Sequence, residues 1–178
     1  TPERLVSGRT DKLRTERAAA PGSYMVQPED REDGAAVDII LKGKRQMAVS
    51  RINAVIKSDI YKVWETVLAV EKYSSWRSDL SKIKVVDEKK FIEYTKKGYP
   101  TVFTVTCEEH LKRWEFDLEN SNMTGHWTGV FIACGEETEI EFTEQVTVKK
   151  VFIRPFAGIY LKKQQEQFVE DLKKEVEL

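Results

Sequence analysis

The chain has 178 residues, of which 29 are Lys or Arg, 30 are Asp or Glu, and 40% are hydrophobic. This length suits one domain with a substantial core, and a net charge of −1 gives no overall attraction to nucleic acid or anionic membranes, although a local patch could still provide one. No apolar run approaches the roughly 20 residues that cross a bilayer and no secretory signal is evident, so we expect a cytoplasmic protein without stable membrane insertion and without a nucleic-acid partner.

Residues 1–46 differ in composition from the rest of the chain. Tyr24 is their only aromatic residue, and they contain at most a weak helix at 10–20 and a short strand at 37–41. We predict a poorly structured segment, which is either a mobile tail or an arm that packs on this domain or on a neighbouring subunit. A third interpretation is an over-extended reading frame with Met47 as the natural start, because purine-rich codons can encode the basic stretch before it.

The predicted domain comprises residues 47–178 and begins with an alternating strand at 48–56. Ser58 is the predicted N-cap of a helix, which buries the apolar stripe of residues 60–68. Residues 73–80 predict a second short helix or a helical turn.

Six further strands follow, and the short connections between them are rich in turn residues. The sheet should therefore be an antiparallel meander. Trp114, Phe116 and Leu118 alternate with charged residues, which indicates one apolar and one wet face. We place the strands near residues 82–86, 91–96, 101–110, 113–118, 124–133 and 138–149.

A long C-terminal helix begins at Pro155 and is long enough to lie across the whole sheet. Its predicted buried stripe is Phe156, Tyr160, Gln164, Phe168, Leu172 and Val176. We predict an α+β fold in which a seven-stranded antiparallel sheet wraps around this helix, with two short helices after the first strand. Whether the space between the two layers is filled or hollow distinguishes a structural domain from a ligand container.

This element order and several motifs resemble the superfamily of START domains, polyketide cyclases and birch-pollen-type allergens (SRPBCC), in particular its small bacterial members. The resemblance covers residues 47–178 and implies the helix-grip fold, with a cavity for hydrophobic or amphipathic molecules, lipids included. Members range from passive carriers to cyclases and hydrolase-activating partners. The matching motifs are Ile52-Asn53-Ala54-Val55-Ile56, Val63-Trp64, Tyr73-Ser74-Ser75-Trp76-Arg77-Ser78-Asp79-Leu80, Gly125-His126-Trp127-Thr128-Gly129 and Phe142-Thr143-Glu144.

Glu144 is the candidate for chemistry. It shares strand parity with Phe142 and Val146, so the pleat points its carboxylate inward. Burying an ionised carboxylate is costly, so Glu144 should have a partner or a raised pKa. Three interpretations remain: a polar anchor or general acid/base at a pocket, a structural pair with Arg77 or a lysine, and a strand end where the pleat is lost.

The histidines and cysteines suggest no further site. His110 and His126 lack a second ligand at metal spacing, so we expect no metal and no cofactor. His126 should face solvent, because Trp127 is the better candidate for the core. Cys107 and Cys134 fit no disulfide framework, and Cys107 is predicted to be a packed core thiol.

We predict that the protein binds a small hydrophobic or amphipathic molecule on the concave face of the sheet, beneath the C-terminal helix. One alternative is a polyketide cyclase/dehydratase-like enzyme that uses Glu144; another is a protein-interaction module with an incidental cavity. A homodimer is left open. The candidate binding residues are Trp64, Trp76, Tyr94, Phe103, Trp114, Phe116, Trp127, Phe142, Glu144, Tyr160 and Gln164.

Overall fold

The computed structural model describes residues 35–40 and 47–177. Within these residues the strands are β1 Ala35–Ile40, β2 Met47–Ile56, β3 Leu80–Asp87, β4 Lys90–Thr95, β5 Pro100–Glu109, β6 Arg113–Glu119, β7 Met123–Cys134 and β8 Glu137–Val148. The helices are α1 Ile60–Leu68, α2 Tyr73–Trp76 and α3 Arg154–Val176, with 3₁₀ turns at Val70–Lys72 and Val151–Ile153. All the strands form one antiparallel sheet in the order β1-β2-β8-β7-β6-β5-β4-β3.

The seven strands predicted from residue 47 onward are confirmed, and so are the two short helices after the first of them. In the described part of the chain, β1 adds a further strand that pairs with β2, near the short strand predicted at 37–41. The remainder of residues 1–46, including the helix predicted at 10–20, lies outside the described residues. The domain boundary at Met47 therefore stays a prediction.

The core lies between the inward face of the sheet and the helices. Burial alternates strictly along β8 from Thr138 to Val148, as expected for a strand with one apolar face. The long helix α3 packs against β2 and α1, and Leu161 and Leu172 on α3 are fully buried. No helix in the described ranges is both long and apolar enough to cross a membrane.

The buried face of α3 differs from the predicted one in the first half of the helix, whereas Leu172 and Val176 are buried as predicted. Phe156 and Tyr160, which the four-residue repeat placed inside, are exposed. Ala157 and Gly158 lie inside instead, so the start of the helix buries two small residues and leaves the large ones outside. The buried positions are Ala157, Gly158, Leu161, Gln165, Val169, Asp171, Leu172 and Val176.

The N-cap of α1 is Asp59, so the prediction of Ser58 was wrong by one residue. The Asp59 carboxylate accepts hydrogen bonds from the backbone N–H groups of Tyr61 at 3.0 Å and Lys62 at 3.1 Å. Ser58 is buried, and its carbonyl oxygen accepts a hydrogen bond from the Thr138 hydroxyl at 2.8 Å. The backbone of Ser58 thus ties the start of the helix to β8.

The prediction of Cys107 as a core thiol was also wrong. The pairing of β5 with β6 shifts register between Val105 and Cys107, so Cys107 lies opposite Glu115. Because a bulge reverses the inward–outward alternation, the thiol lies on the wet face, with its sulfur 3.8 Å from a carboxylate oxygen of Glu109.

The motif Gly125–Gly129 makes room for the Trp127 ring. A Cβ atom on Gly129 would lie 2.2 Å from Cη2 and 2.6 Å from Cζ3 of Trp127. The indole stacks on Phe116 with ring centroids 4.8 Å apart and also contacts Phe142. Gly129 therefore leaves the space in which Trp127 lies flat along the inward face.

We predict that Gly129→Ala destabilises the protein by about 1–3 kcal/mol, because the indole must move. In a Trp127→Phe background the two overlapping ring atoms are absent, so the same substitution should cost less. Urea unfolding of the four proteins measures this coupling. Equal costs in the two backgrounds would show that Gly129 is required for another reason.

Candidate functional site

A cavity of about 80 Å³ lies between the sheet and α3. This volume is well above the roughly 10–15 Å³ that one water molecule needs, so the space can hold several waters or a small molecule. Eight of the predicted binding residues line it: Phe103, Trp114, Phe116, Trp127, Phe142, Glu144, Tyr160 and Gln164.

The other three predicted binding residues lie elsewhere. Trp64 packs edge-on against Phe131 at 5.1 Å between centroids, in the core beneath α1. Trp76 packs behind the cavity wall, against Tyr73 and Phe168. Tyr94 lies on the opposite face of β4 from the buried Phe91 and Glu93, because side chains alternate along a strand.

Stacked aromatic rings form most of the apolar wall. Phe91 stacks on Phe103 with centroids 4.9 Å apart and an interplanar angle of 5°. Phe116 stacks on Trp127, and Trp114 packs edge-on against both of them. This wall suits the flat or apolar part of a ligand, because offset and edge-on ring contacts add to the burial of apolar area.

A buried ion pair forms the polar end of the cavity, and the sequence analysis did not predict it. Arg77, which lies between α2 and β3, donates from Nη1 to Oε1 of Glu93 at 2.6 Å. Its Nε and Nη2 donate to the two carboxylate oxygens of Asp79, at 3.1 and 2.7 Å. The guanidinium carbon also lies 5.2 Å from the Tyr73 ring centroid and 5.1 Å from that of Phe168.

These partners keep the guanidinium charged. Burial disfavours the charge on Arg77, but Glu93 and Asp79 favour it, and the pKa of Arg77 lies above its usual range. Burial raises the pKa of Glu93, and the charge of Arg77 partly offsets that rise. One feature of the sequence pointed to this pair: the alternation along β4 places the Glu93 carboxylate on the inward face of the strand, beside Phe91.

A second polar contact ties the α2–β3 segment to α3. The Asp171 carboxylate accepts hydrogen bonds from the backbone N–H and the hydroxyl of Ser78, both at 2.7 Å. Burial works against its charge, but the hydrogen bonds from Ser78 outweigh this effect and lower the pKa of Asp171. Arg77 and Asp171 together hold the segment against both the sheet and the helix.

Glu144 is buried in the cavity wall, as the strand parity predicted. The structure pairs Arg77 with Glu93 and Asp79, and among the described residues no hydrogen bond reaches the Glu144 carboxylate. Burial raises the pKa of Glu144 to about 7; the nearby Glu93 adds to this rise and Arg77 opposes it.

The neighbours of Glu144 include further polar groups. Gln165 is buried in α3, and its Oε1 accepts a hydrogen bond at 2.9 Å from Ser50, which lies opposite Glu144 on β2. Its Nε2 is buried and has no hydrogen-bond partner in the described part of the chain. The predicted buried stripe contained Gln164, but in the structure Gln165 is the buried amide of α3.

Tyr160 and Gln164 form the helical rim of the cavity and are partly exposed. Burial raises the pKa of the Tyr160 phenol, and the nearby carboxylate of Glu144 raises it further. A partly exposed rim of two side chains can change conformation more easily than the stacked wall.

His126 lies on the wet face, as predicted, and Trp127 points into the core. Nδ1 of His126 is 2.8 Å from a carboxylate oxygen of Asp117. Within residues 47–177 no group of three or more His, Cys, Asp or Glu is placed to hold a metal ion.

No protein-family model and no curated protein matches the chain. Among solved structures, it is similar to a START superfamily protein from Mycobacterium smegmatis, with a TM-score of 0.67, 11% identity, and coverage of 72% of this chain and 97% of the other. The Zhui aromatase/cyclase from Streptomyces sp. R1128 gives a TM-score of 0.68 at 9% identity, with coverage of 74% and 94%.

A third similar structure is norcoclaurine synthase from Thalictrum flavum in complex with dopamine and hydroxybenzaldehyde. Its TM-score is 0.57 at 11% identity, with coverage of 77% of this chain and 94% of the synthase. At such identities the similarity shows the fold alone. The chain has the START-like helix-grip fold of the SRPBCC proteins, which confirms the predicted fold class.

We predict that Glu144→Gln changes how stability depends on pH. The folded protein holds the Glu144 proton up to about pH 7, whereas the unfolded chain releases it near 4.5, so stability falls as pH rises between these values. At pH 8 the substitution should be neutral or stabilising, by up to about 3 kcal/mol. Melting temperatures from pH 4 to 8 test this, with Glu141→Gln at an exposed position of β8 as control. Parallel curves for the two variants would contradict it.

We predict that Arg77→Met destabilises the protein by about 3–5 kcal/mol, because it leaves Glu93 buried without its cation. Arg113→Met is the matched control: Arg113 is exposed and pairs with Glu115, so its loss should cost less than about 1 kcal/mol. The double variant Arg77→Met/Glu93→Leu should recover most of the loss. Urea unfolding of all four proteins measures these costs, and equal losses for the two arginine variants would refute the role of the buried pair.

Proposed function

We propose that the protein binds a small amphipathic molecule in the cavity between the sheet and α3. The apolar part of the ligand would lie against the aromatic wall, and its polar group would reach Glu144. One observation carries this proposal: a buried carboxylate, to which no described residue donates a hydrogen bond, lines a cavity of stacked rings. Burial of such a group is costly, and a ligand that donates a hydrogen bond would offset that cost.

The charges around the cavity favour a ligand with a hydroxyl or amine group. Arg77 is already bound by Glu93 and Asp79, so an anionic ligand would meet a guanidinium whose charge is matched. It would also be repelled by Glu144 once that carboxylate ionises. A hydroxyl group could donate to Glu144 and accept from the orphaned Nε2 of Gln165, and an amine could donate to Glu144.

The size of the cavity favours a ligand of about one ring. The cavity volume of about 80 Å³ is well below the roughly 300–1,000 Å³ of pockets for drug-sized ligands, so a molecule much larger than one ring requires Tyr160 and Gln164 to move. Support comes from norcoclaurine synthase, which is similar in fold and was solved with dopamine and hydroxybenzaldehyde, both single-ring molecules. The aromatase/cyclase has the same fold and also supports an aromatic ligand.

A second candidate function is acid–base catalysis by Glu144. The observation that favours it is the pKa of about 7, at which both the acid and the base form are populated near neutral pH. An enzyme of the cyclase or dehydratase kind would also need a second titratable group in contact with Glu144. Because no hydrogen bond of this kind is present among residues 47–177, binding is the function that the geometry supports better.

We predict a clear order of affinity for three probes that share a phenyl ring: benzyl alcohol and benzylamine should bind at least about tenfold more tightly than benzoate at pH 8. The reason is that the hydroxyl and amine donate to Glu144, whereas the carboxylate is repelled by it. Titrations followed by NMR and by tryptophan fluorescence measure the affinities, since Trp114 and Trp127 line the cavity.

Two variants and one control separate the parts of this proposal. Glu144→Gln should abolish the discrimination against benzoate, whereas Glu141→Gln on the wet side of β8 should preserve it. Trp114→Ala should alter the affinity for all three probes, because it changes the apolar wall. If none of the probes binds, or if benzoate binds as tightly as benzylamine to the unaltered protein, the proposed ligand class is wrong.

A further inference from the structure

The segment from Lys149 to Lys163, which links β8 to α3 and forms the first turns of this helix, exposes large apolar side chains. We call it the basic apolar segment. Its residues Val151, Phe152, Phe156, Ile159 and Tyr160 are between 50% and 74% exposed. A contiguous exposed group of this kind is typical of an interaction surface, whereas single exposed apolar residues are common on any protein.

The same segment is strongly basic. It contains five of the 29 basic residues of the chain and none of the 30 acidic ones, although the whole chain has a net charge of −1. Lys149 forms an ion pair with Glu119, and Lys162 lies 3.8 Å from Glu166, both acids outside the segment. Exposed pairs of this kind are weak, so the segment remains a local positive patch on a slightly acidic protein.

The apolar and basic side chains lie together on one face. Phe156, Ile159, Tyr160 and Lys163 follow at spacings of three and four residues, so they form one stripe along α3. The opposite side of the helix is buried through Ala157 and Leu161. Val151 and Phe152 extend the exposed group into the preceding 3₁₀ turn. Apolar side chains flanked by lysines are the pattern of a segment that lies in a membrane interface.

We propose that the basic apolar segment docks the protein onto an anionic membrane surface. The phenylalanine, valine and isoleucine side chains would enter the headgroup region, and the lysines would contact anionic lipid. Charge complementarity favours lipid over a second copy of the chain: two copies joined through this face would bring like charges together, whereas anionic lipids neutralise them. Docking of this kind needs no membrane-spanning helix.

The position of the segment gives docking a consequence for the cavity. Tyr160 belongs both to the segment and to the cavity rim, and Gln164 follows it by one helical turn. A docked protein would therefore hold this rim against the lipid surface. A small amphipathic molecule could then pass between cavity and membrane with little exposure of its apolar part to water.

Vesicle sedimentation with the full chain tests the docking proposal. The probes are sucrose-loaded vesicles of pure phosphatidylcholine and of phosphatidylcholine with 30 mol% phosphatidylserine, at about 0.1 M salt. We expect binding to the anionic vesicles, at least tenfold weaker binding to the neutral ones, and loss of binding at about 0.5 M salt.

Matched variants locate the contact. Lys150→Glu/Lys163→Glu should weaken binding to anionic vesicles at least tenfold. The control Lys89→Glu/Lys112→Glu makes the same charge change in exposed turns at the opposite end of the sheet, and should change binding less than twofold. Phe152→Ser/Phe156→Ser should also weaken binding at least tenfold, whereas Tyr61→Ser, an exposed aromatic on α1, should not.

The outcomes are distinguishable from those of the ligand tests. All four variants change exposed side chains, so melting temperatures close to that of the unaltered protein would show that lost binding reflects lost contact. Equal binding to neutral and anionic vesicles, or unchanged binding by both segment variants, would overturn the proposal. So would a dimer in sedimentation equilibrium that Phe152→Ser/Phe156→Ser dissociates, since the occupant would then be a second copy.

Glu144→Gln should leave vesicle binding unchanged, so docking can fail or stand independently of the cavity.

Discussion

The arrangement of the domain depends on how it accommodates one buried cation. Arg77 lies in a short segment between α2 and β3, and a guanidinium in that position must be paired with acids and hydrogen-bonded. Glu93 from the sheet and Asp79 from the segment supply the acids, while the rings of Tyr73 and Phe168 enclose the group. Because these partners come from the sheet, the segment and α3, satisfying one charge fixes three parts of the fold. Asp171 and Ser78 add a second tie between the segment and the helix.

Because of this polar cluster, the space under α3 has one charged end and one apolar wall. Rings stacked in register fill the inward face along β4, β5, β6 and β7, whereas the end near Arg77 is occupied by charges that cannot pack as apolar side chains do. Glu93 and Asp79 together match the charge of Arg77, so Arg77 does not need Glu144 as a partner. The cavity therefore combines a wide apolar wall with one carboxylate whose hydrogen-bonding needs the described residues leave unmet. An amphipathic ligand fits that combination better than a purely apolar one.

Strand positions and most inward faces could be predicted from the sequence, because the alternation of apolar and polar residues is a local pattern. The bulge that turns Cys107 outward could not be predicted in this way. The parity of Phe142 and Glu144 was enough to place a carboxylate inside. The ion-pair partners and the buried side of α3 were harder to predict from the sequence, because they depend on contacts between residues that are far apart in the chain. The periodicity of α3 was compatible with burying Phe156 and Tyr160, but the structure buries Ala157 and Gly158 at the start of the helix instead. Likewise, Glu93 had the inward parity of a buried acid, but nothing local indicated that Arg77 would be its partner.

The small residues at the start of α3 have a consequence for how this protein could evolve. Ala157 and Gly158 occupy the buried side of the helix there, and the neighbouring large residues are mostly exposed, so these large residues carry little of the folding free energy. Substitutions at positions 152, 156 and 159 would then change the stability of the fold very little, so selection for stability would not conserve these residues. If homologous sequences retain bulky apolar residues at these positions, the constraint must come from what the surface contacts in the cell. Polar residues at these positions would mark homologues that have lost that contact.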